Sequence, residues 1–150
     1  AYYLDHLPDG TPNAAGSIMM DQANSPDFAD QVTILHGHHM ASGAMFGSLE
    51  EYAREDYYRR HPTMELFTPQ GDYRVRVFAA YTVDGASFAY PTGFGGEREF
   101  SDFIRRAQAA TPYDTGVTPG SADRLLLLST CAYDYRNARF VVLSRLEPVA

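Results

Sequence analysis

Leu125-Leu126-Leu127-Leu128-Ser129-Thr130-Cys131 is the stretch on which the fold turns. A membrane-crossing helix needs about 20 apolar residues, so this run is too short to span a bilayer. Its length suits a strand buried in a sheet. A polar stretch, Ala132 to Ala138, leads to a second apolar run, Phe140-Val141-Val142-Leu143-Ser144-Arg145-Leu146, which reads as the closing strand. Working back from Leu125, Thr115 to Gly120 is a loop and Thr111-Pro112 ends a helix over Glu97 to Ala110. That helix carries Phe100, Phe103, Ile104 and Ala107 on one face.

Further upstream, Met64 to Phe67, the turn Thr68-Pro69-Gln70-Gly71-Asp72 and Tyr73 to Tyr81 form a hairpin. In its second strand Tyr73, Val75, Val77 and Ala79 face one way, and Arg74, Arg76 and Phe78 the other. Phe46 to Arg60 is read as one helix, from Leu49, Tyr52, Ala53 and Tyr57 at helical spacing, with Ser48 as N-cap and His61-Pro62 as its stop. Gln31 to His36 alternates as a strand and delivers Gly37-His38-His39-Met40 to a loop. Gly16 to Asp21 is a shorter strand within a turn-rich start. The expected architecture is mainly β, a closed barrel with helices inserted at about 46–60 and 97–110.

The composition narrows the chemistry. At 150 residues, 45% of them hydrophobic and 21% charged, the chain is read as one globular domain. A net charge of −7 argues against nucleic acid as a partner. All 12 basic residues are arginine, so Schiff-base chemistry and a phosphate-binding P-loop lysine are excluded. The single cysteine rules out an internal disulfide and a cysteine-rich zinc site. No metal or cofactor is expected. Neither end reads as a signal peptide, which leads to the expectation of a mature or trimmed chain.

Cys131 ends one strand, Arg139 begins the next, and His38 ends a third. In an antiparallel pair the guanidinium reaches the thiol end. There a cation favours the reactive thiolate, and a forked donor can hold an oxyanion. An imidazole can protonate a leaving amine and deprotonate an incoming one. Each residue also has a plainer reading, His38 as a strand terminator and Arg139 as one of 12 surface arginines.

The ordered blocks around these residues resemble the sortase family. Leu128-Ser129-Thr130-Cys131 followed by Ala138-Arg139-Phe140-Val141-Val142 is similar to the family's Thr-Leu-x-Thr-Cys signature with its downstream arginine. Leu35-His36-Gly37-His38-His39-Met40, then Met45-Phe46-Gly47-Ser48-Leu49 and Tyr52, resembles the histidine block of class B sortases. Tyr3-Leu4, Gly16-Ser17-Ile18 with Asp21, and the helical insert at 97–110 resemble further class B elements. Two departures stand out. Leu127 replaces the first threonine of the signature, and the usual N-terminal helical segment and first barrel strand are not visible.

The resemblance implies a cysteine transpeptidase at the extracellular face of a Gram-positive cell membrane, reaching the membrane only through an N-terminal anchor. It implies His38, Cys131 and Arg139 as catalytic residues. Leu4, His36, Tyr90, Ser129, Thr130 and Ala132 are implied to bind substrate, Ala132 through its backbone N–H and Tyr90 as part of a groove wall Phe88-Ala89-Tyr90. The implied partners are the sorting signal of a surface protein or pilin, of NPxTN or LPxTG type, and an amine from a peptidoglycan cross-bridge or a pilin lysine. A class B pilin polymerase and an inactive sortase-like scaffold remain as alternatives. A papain-like hydrolase is more distant, because that family's cysteine signature is absent.

Overall fold

A computed structural model of the protein describes residues 19–37, 49–131 and 137–149. The described strands are β1 (Met19–Met20), β2 (Val32–Gly37), β3 (Thr63–Thr68), β4 (Gly71–Asp84), β5 (Leu125–Cys131) and β6 (Ala138–Val149). They form one six-stranded sheet in the order β1-β2-β5-β6-β4-β3. β2 runs parallel to β5, and every other neighbouring pair is antiparallel. The expected mainly-β architecture with inserted helices forms, the sheet curling as a half-barrel with β1 and β3 outermost among the described residues.

The leucine run is apolar without interruption because β5 is buried on both sides. Successive side chains of a strand point to opposite faces. Leu126 and Leu128 therefore join one core, with Tyr52, Tyr58, Val75, Phe140 and Val142. Leu125 and Leu127 join the other, with Val32, Ile34, Phe78 and Val141. Helix α2 (Glu97–Ala110) covers this second face, burying Phe100, Phe103, Ile104 and Ala107 as its periodicity predicts.

The first helix departs from expectation. Leu49–Ala53 is a 3-10 turn and Glu55–Arg60 is a separate α-helix, α1. Between them Arg54 is extended, with φ −104° and ψ 133°. The break rotates the second half, so Tyr58 is buried instead of Tyr57, and Ala53 is exposed. The part of the expected helix over 46–48, with the proposed Ser48 cap, lies outside the described residues.

A second correction concerns Ala79. The register between β4 and β6 shifts between Val77 and Ala79, leaving an extra residue in β4. Ala79 consequently shares the Phe78 core and not the Val77 one. The irregularity also frees backbone groups for other partners. Thr115 Oγ1 donates to the Phe78 carbonyl at 3.0 Å, and the Ala80 N–H donates to Thr111 Oγ1 at 3.0 Å. The loop after α2 is tied to the sheet by these two bonds.

Away from the strand ends that carry Cys131 and Arg139, Arg76 and Arg145 face each other directly across β4 and β6. Like charges in such a pair repel, and Glu147 offsets this by accepting from Arg76 at 2.8 Å and from Arg145 at 2.8 and 3.1 Å. The Arg76 hydrogen bond chiefly holds the Glu147 carboxyl below its ordinary range; burial opposes it and Arg145 assists it. A depressed carboxylate stabilises the fold above its unfolded pKa and loses that contribution as pH falls through the folded value. Glu147→Gln should therefore cost about 1 kcal/mol at pH 7. In urea melts the difference from wild type should vanish as the pH is lowered below the usual carboxylate range.

Candidate active site

Three strand ends meet at one end of the sheet. The β2–β5 register pairs His36 with Ser129 and Gly37 with Thr130, so β2 ends beside the residue that precedes Cys131. The β5–β6 register pairs Cys131 with Arg139, and Arg139 is paired on its other side with Val83 of β4. His38 follows β2 directly in sequence, and lies outside the described residues together with Leu4 and Ala132.

Arg139 is half-buried, and its Nη1 donates to the Ala138 carbonyl at 3.1 Å. Among the described residues no carboxylate lies within ion-pair distance of it, whereas Arg76 and Arg145 share Glu147 and Arg59 is matched to Glu55. The turn into β6 helps to set its position. Asn137 is left-handed, with φ 66°, a conformation that asparagine tolerates better than most residues. The Asn137 carbonyl accepts the Gly85 N–H at 2.7 Å. A Cβ at residue 85 would meet Arg139 Cγ and that same carbonyl oxygen at 2.8 Å each. Gly85 therefore lets the loop after β4 lie directly against the arginine.

Next to this row is a polar cluster on the α2 face. The Tyr90 hydroxyl and Ser129 Oγ are hydrogen-bonded at 2.8 Å. The Tyr90 ring meets Phe88 edge-on at 4.9 Å and His36 at 5.4 Å. His36 Nε2 is 3.0 Å from an Asp21 carboxylate oxygen. Burial pushes the Asp21 carboxyl up, but the bonds it accepts from the Ala23 N–H and from His36 outweigh this and hold it below its ordinary value. The loop carrying Tyr90 is strapped to β2, the Val32 N–H donating to Thr92 O at 3.1 Å and the Phe94 N–H to Gln31 Oε1 at 3.2 Å.

Of the substrate-binding residues expected from the sequence, His36, Tyr90 and Ser129 are thus brought together. Thr130 is not with them. Strand alternation sets it on the opposite face, paired with Phe140, with its Oγ1 buried and unpartnered among the described residues. Two further residues join the site without an assigned role in the sequence reading, Asp21, which belongs to a family block, and Gly85. Asp21 is visible in the sequence as part of a short strand, but its partnership with His36 arises only when β1 pairs with β2. Gly85 carries no sequence signal beyond being one loop glycine among several.

Residues 5–147 match the family of the sortase domain. A Listeria monocytogenes sortase B is 33% identical over 147 residues, covering 97% of this chain and 60% of that protein. The fold superimposes on a Staphylococcus aureus sortase B–substrate complex with a TM-score of 0.91 at 29% identity, covering 99% of this chain and 70% of that one. A Bacillus anthracis protein described as similar to sortase B gives a TM-score of 0.85 at 32% identity, covering 99% and 68%. A curled sheet with Cys131 and Arg139 paired at its end, and a family match over nearly its whole length, make this chain a member of the sortase family. Within that family it is of class B, the class of these relatives. The chain spans about 60% of the length of the Listeria protein.

Gly85→Ala should displace Arg139, since one of the two clashes is with backbone and cannot be relieved by a rotamer change. Overpacking of this kind costs about 2 kcal/mol. A melting curve, together with a shift of the Arg139 Nε–H resonance, would report the displacement. Unchanged spectra would show that the close approach has no consequence.

Proposed function

We propose that this chain is the catalytic domain of a class B sortase, which cuts a C-terminal sorting signal of NPxTN or LPxTG type after its threonine and transfers the new acyl end to an amine. The observation that carries the reading is the strand register, Cys131 paired with Arg139 and the tail of β2 beside Thr130. The relatives support it, one of them a Staphylococcus aureus sortase B–substrate complex.

In the proposed reaction the Cys131 thiolate attacks the threonine carbonyl carbon, forming a C–S bond and a tetrahedral oxyanion. Arg139 and the Ala132 N–H stabilise that oxyanion. The C–N bond then breaks and His38 protonates the departing amine, leaving a thioacyl enzyme. An acceptor amine attacks the thioester, His38 takes its proton, and the C–S bond breaks to regenerate the thiolate. Every new bond is matched by a broken one and no external oxidant or reductant is required. His36, Tyr90 and Ser129 form part of the groove wall that the peptide lies against. The acceptor is a cell-wall amine such as a peptidoglycan cross-bridge, which sets the enzyme at the outer face of the membrane of a Gram-positive cell.

Arg139 is suited to its role because guanidinium stays charged and offers a rigid fork of donors. Its half-buried charge has no carboxylate among the described residues to neutralise it. Cys131→Ala should abolish cleavage of every sorting peptide in a mass-spectrometric assay while leaving the melting temperature unchanged. Arg139→Lys should lower kcat/KM by about 100- to 1,000-fold, because a point charge replaces a forked donor. Turnover retained by Cys131→Ala would refute the mechanism.

A further inference from the structure

The Asp21–His36 pair takes no part in the bond-making and bond-breaking steps just described, although His36 belongs to the proposed groove wall and adjoins the reacting row. His36 lies opposite Ser129 in the β2–β5 register, two residues short of Cys131 along β5. Its ring touches Tyr90 edge-on, and the Tyr90 hydroxyl is bonded to Ser129 Oγ. About a quarter of the His36 side chain, 26%, is exposed. Among the described residues its Nδ1 has no hydrogen-bond partner.

The contact with Asp21 determines what Nδ1 offers. An ionised carboxylate can only accept hydrogen bonds. At 3.0 Å from Asp21, Nε2 must therefore carry the proton. In a neutral imidazole the other nitrogen is then a bare acceptor, because the bond made by one ring nitrogen sets the state of the other. Asp21 is itself held in place, accepting the Ala23 N–H at 2.9 Å and donating its own N–H to the Ile34 carbonyl at 2.9 Å. The carboxylate, the imidazole and the Tyr90 ring thus form a chain from Asp21, the residue after β1, to Ser129.

We propose that Asp21 is a positioning residue that locks His36 in its Nε2–H form, and that His36 Nδ1 is a specificity element accepting a hydrogen bond from a donor on the bound sorting peptide, a side-chain carboxamide or hydroxyl. The proposal rests on the reading of the groove as the peptide site and adds the chemistry that this part of the groove selects. A peptide with a carboxylate at the matching position would set acceptor against acceptor and be rejected. Rejection arises because a buried acceptor left unmatched costs more than a matched one gains.

Asp21→Asn tests this directly, since an asparagine amide can donate to Nε2 and move the ring proton to Nδ1. Nδ1 then becomes a donor and the preference should invert. The probes are two sets of synthetic sorting peptides, identical except for Gln or Glu at each variable position. Their affinities are measured for the Cys131→Ala chain with and without Asp21→Asn, and cleavage is measured in the corresponding chains that retain Cys131. The expected result is a preference for Gln over Glu at one position of about tenfold, the worth of one hydrogen bond. It should be lost or reversed by Asp21→Asn through KM, with kcat retained. His36→Phe keeps the ring against Tyr90 but removes both nitrogens, and should abolish the preference in either background. ¹⁵N spectra of the imidazole give a readout independent of activity: wild type should carry its proton on Nε2, and Asp21→Asn on Nδ1. A wild-type ring protonated on Nδ1 overturns the proposal, as does a Gln/Glu preference unchanged by both substitutions. An equal fall in affinity for every peptide also overturns it, since that marks a purely structural clamp. Binding with the expected preference but without cleavage would sink the transpeptidase reading alone.

Discussion

The register of β5 is the constraint on which the rest of the molecule depends. This strand is held from both sides, parallel to β2 and antiparallel to β6. Because side chains alternate with a period of two, a slip of one residue would exchange everything on the two faces. Ser129 would leave Tyr90, and Cys131 would no longer be paired with Arg139. The leucines cannot prevent such a slip, since Leu125 to Leu128 present an equally apolar surface to either core. Register has to be enforced at the ends of the run. At its start the Leu125 N–H donates to Gln31 O at 2.7 Å and the Leu146 N–H to Arg124 O at 2.9 Å. Near its end the Tyr90–Ser129 bond closes the other side. The residues that line the proposed groove therefore also hold the strand that carries the cysteine.

The segment between β4 and β5 does two jobs at once. Its helix, α2, closes the apolar part of one sheet face with Phe100, Phe103, Ile104 and Ala107. The loop before the helix reaches past that apolar cover and brings Gly85 against Arg139 and Tyr90 against Ser129. One insertion thereby separates a dry face from a polar rim on the same sheet. Thr111 and Thr115, which take up the backbone groups freed by the irregularity in β4, keep the insertion seated. A fault in strand pairing has become the attachment point for the element that frames the site.

What could be read in the sequence follows from how local its cause is. β5 and α2 were legible to the residue, because an apolar run and a four-residue amphipathic pattern are properties of neighbouring side chains. The break at Arg54 was not, since the flanking residues keep helical spacing and only the packing of Tyr58 into the core favours the rotated second half. Ala79 was assigned to the wrong face because an irregularity in pairing belongs to two strands and leaves no mark in either one. At the site, His36, Tyr90 and Ser129 were named from family blocks, while Asp21 required the β1–β2 pairing to connect it to His36. Thr130 is the expected groove residue that strand alternation sets on the face away from Ser129.

The contrast among the arginines bears on why Arg139 suits the proposed chemistry. Arg76 and Arg145 stand across from each other and are drawn onto one carboxylate, so most of their charge is spent on holding β4 to β6. Arg59 is matched by Glu55 one helical turn away. Arg139 is half-buried, donates to a neutral carbonyl, and has no carboxylate partner among the described residues. Removing a cation partly from water without a counter-ion is unfavourable, and such an arrangement persists only where the surroundings impose it. Here the imposed elements are visible: the left-handed Asn137 turn and the glycine at 85 that leaves room for the side chain. Among the described residues the guanidinium at the strand position paired with the cysteine is thus held without a carboxylate partner. In the proposed reaction the tetrahedral oxyanion forms only as the bonds change, and the Arg139 charge would meet it with no carboxylate among the described residues to displace, so that contact would favour the transition state over the resting enzyme.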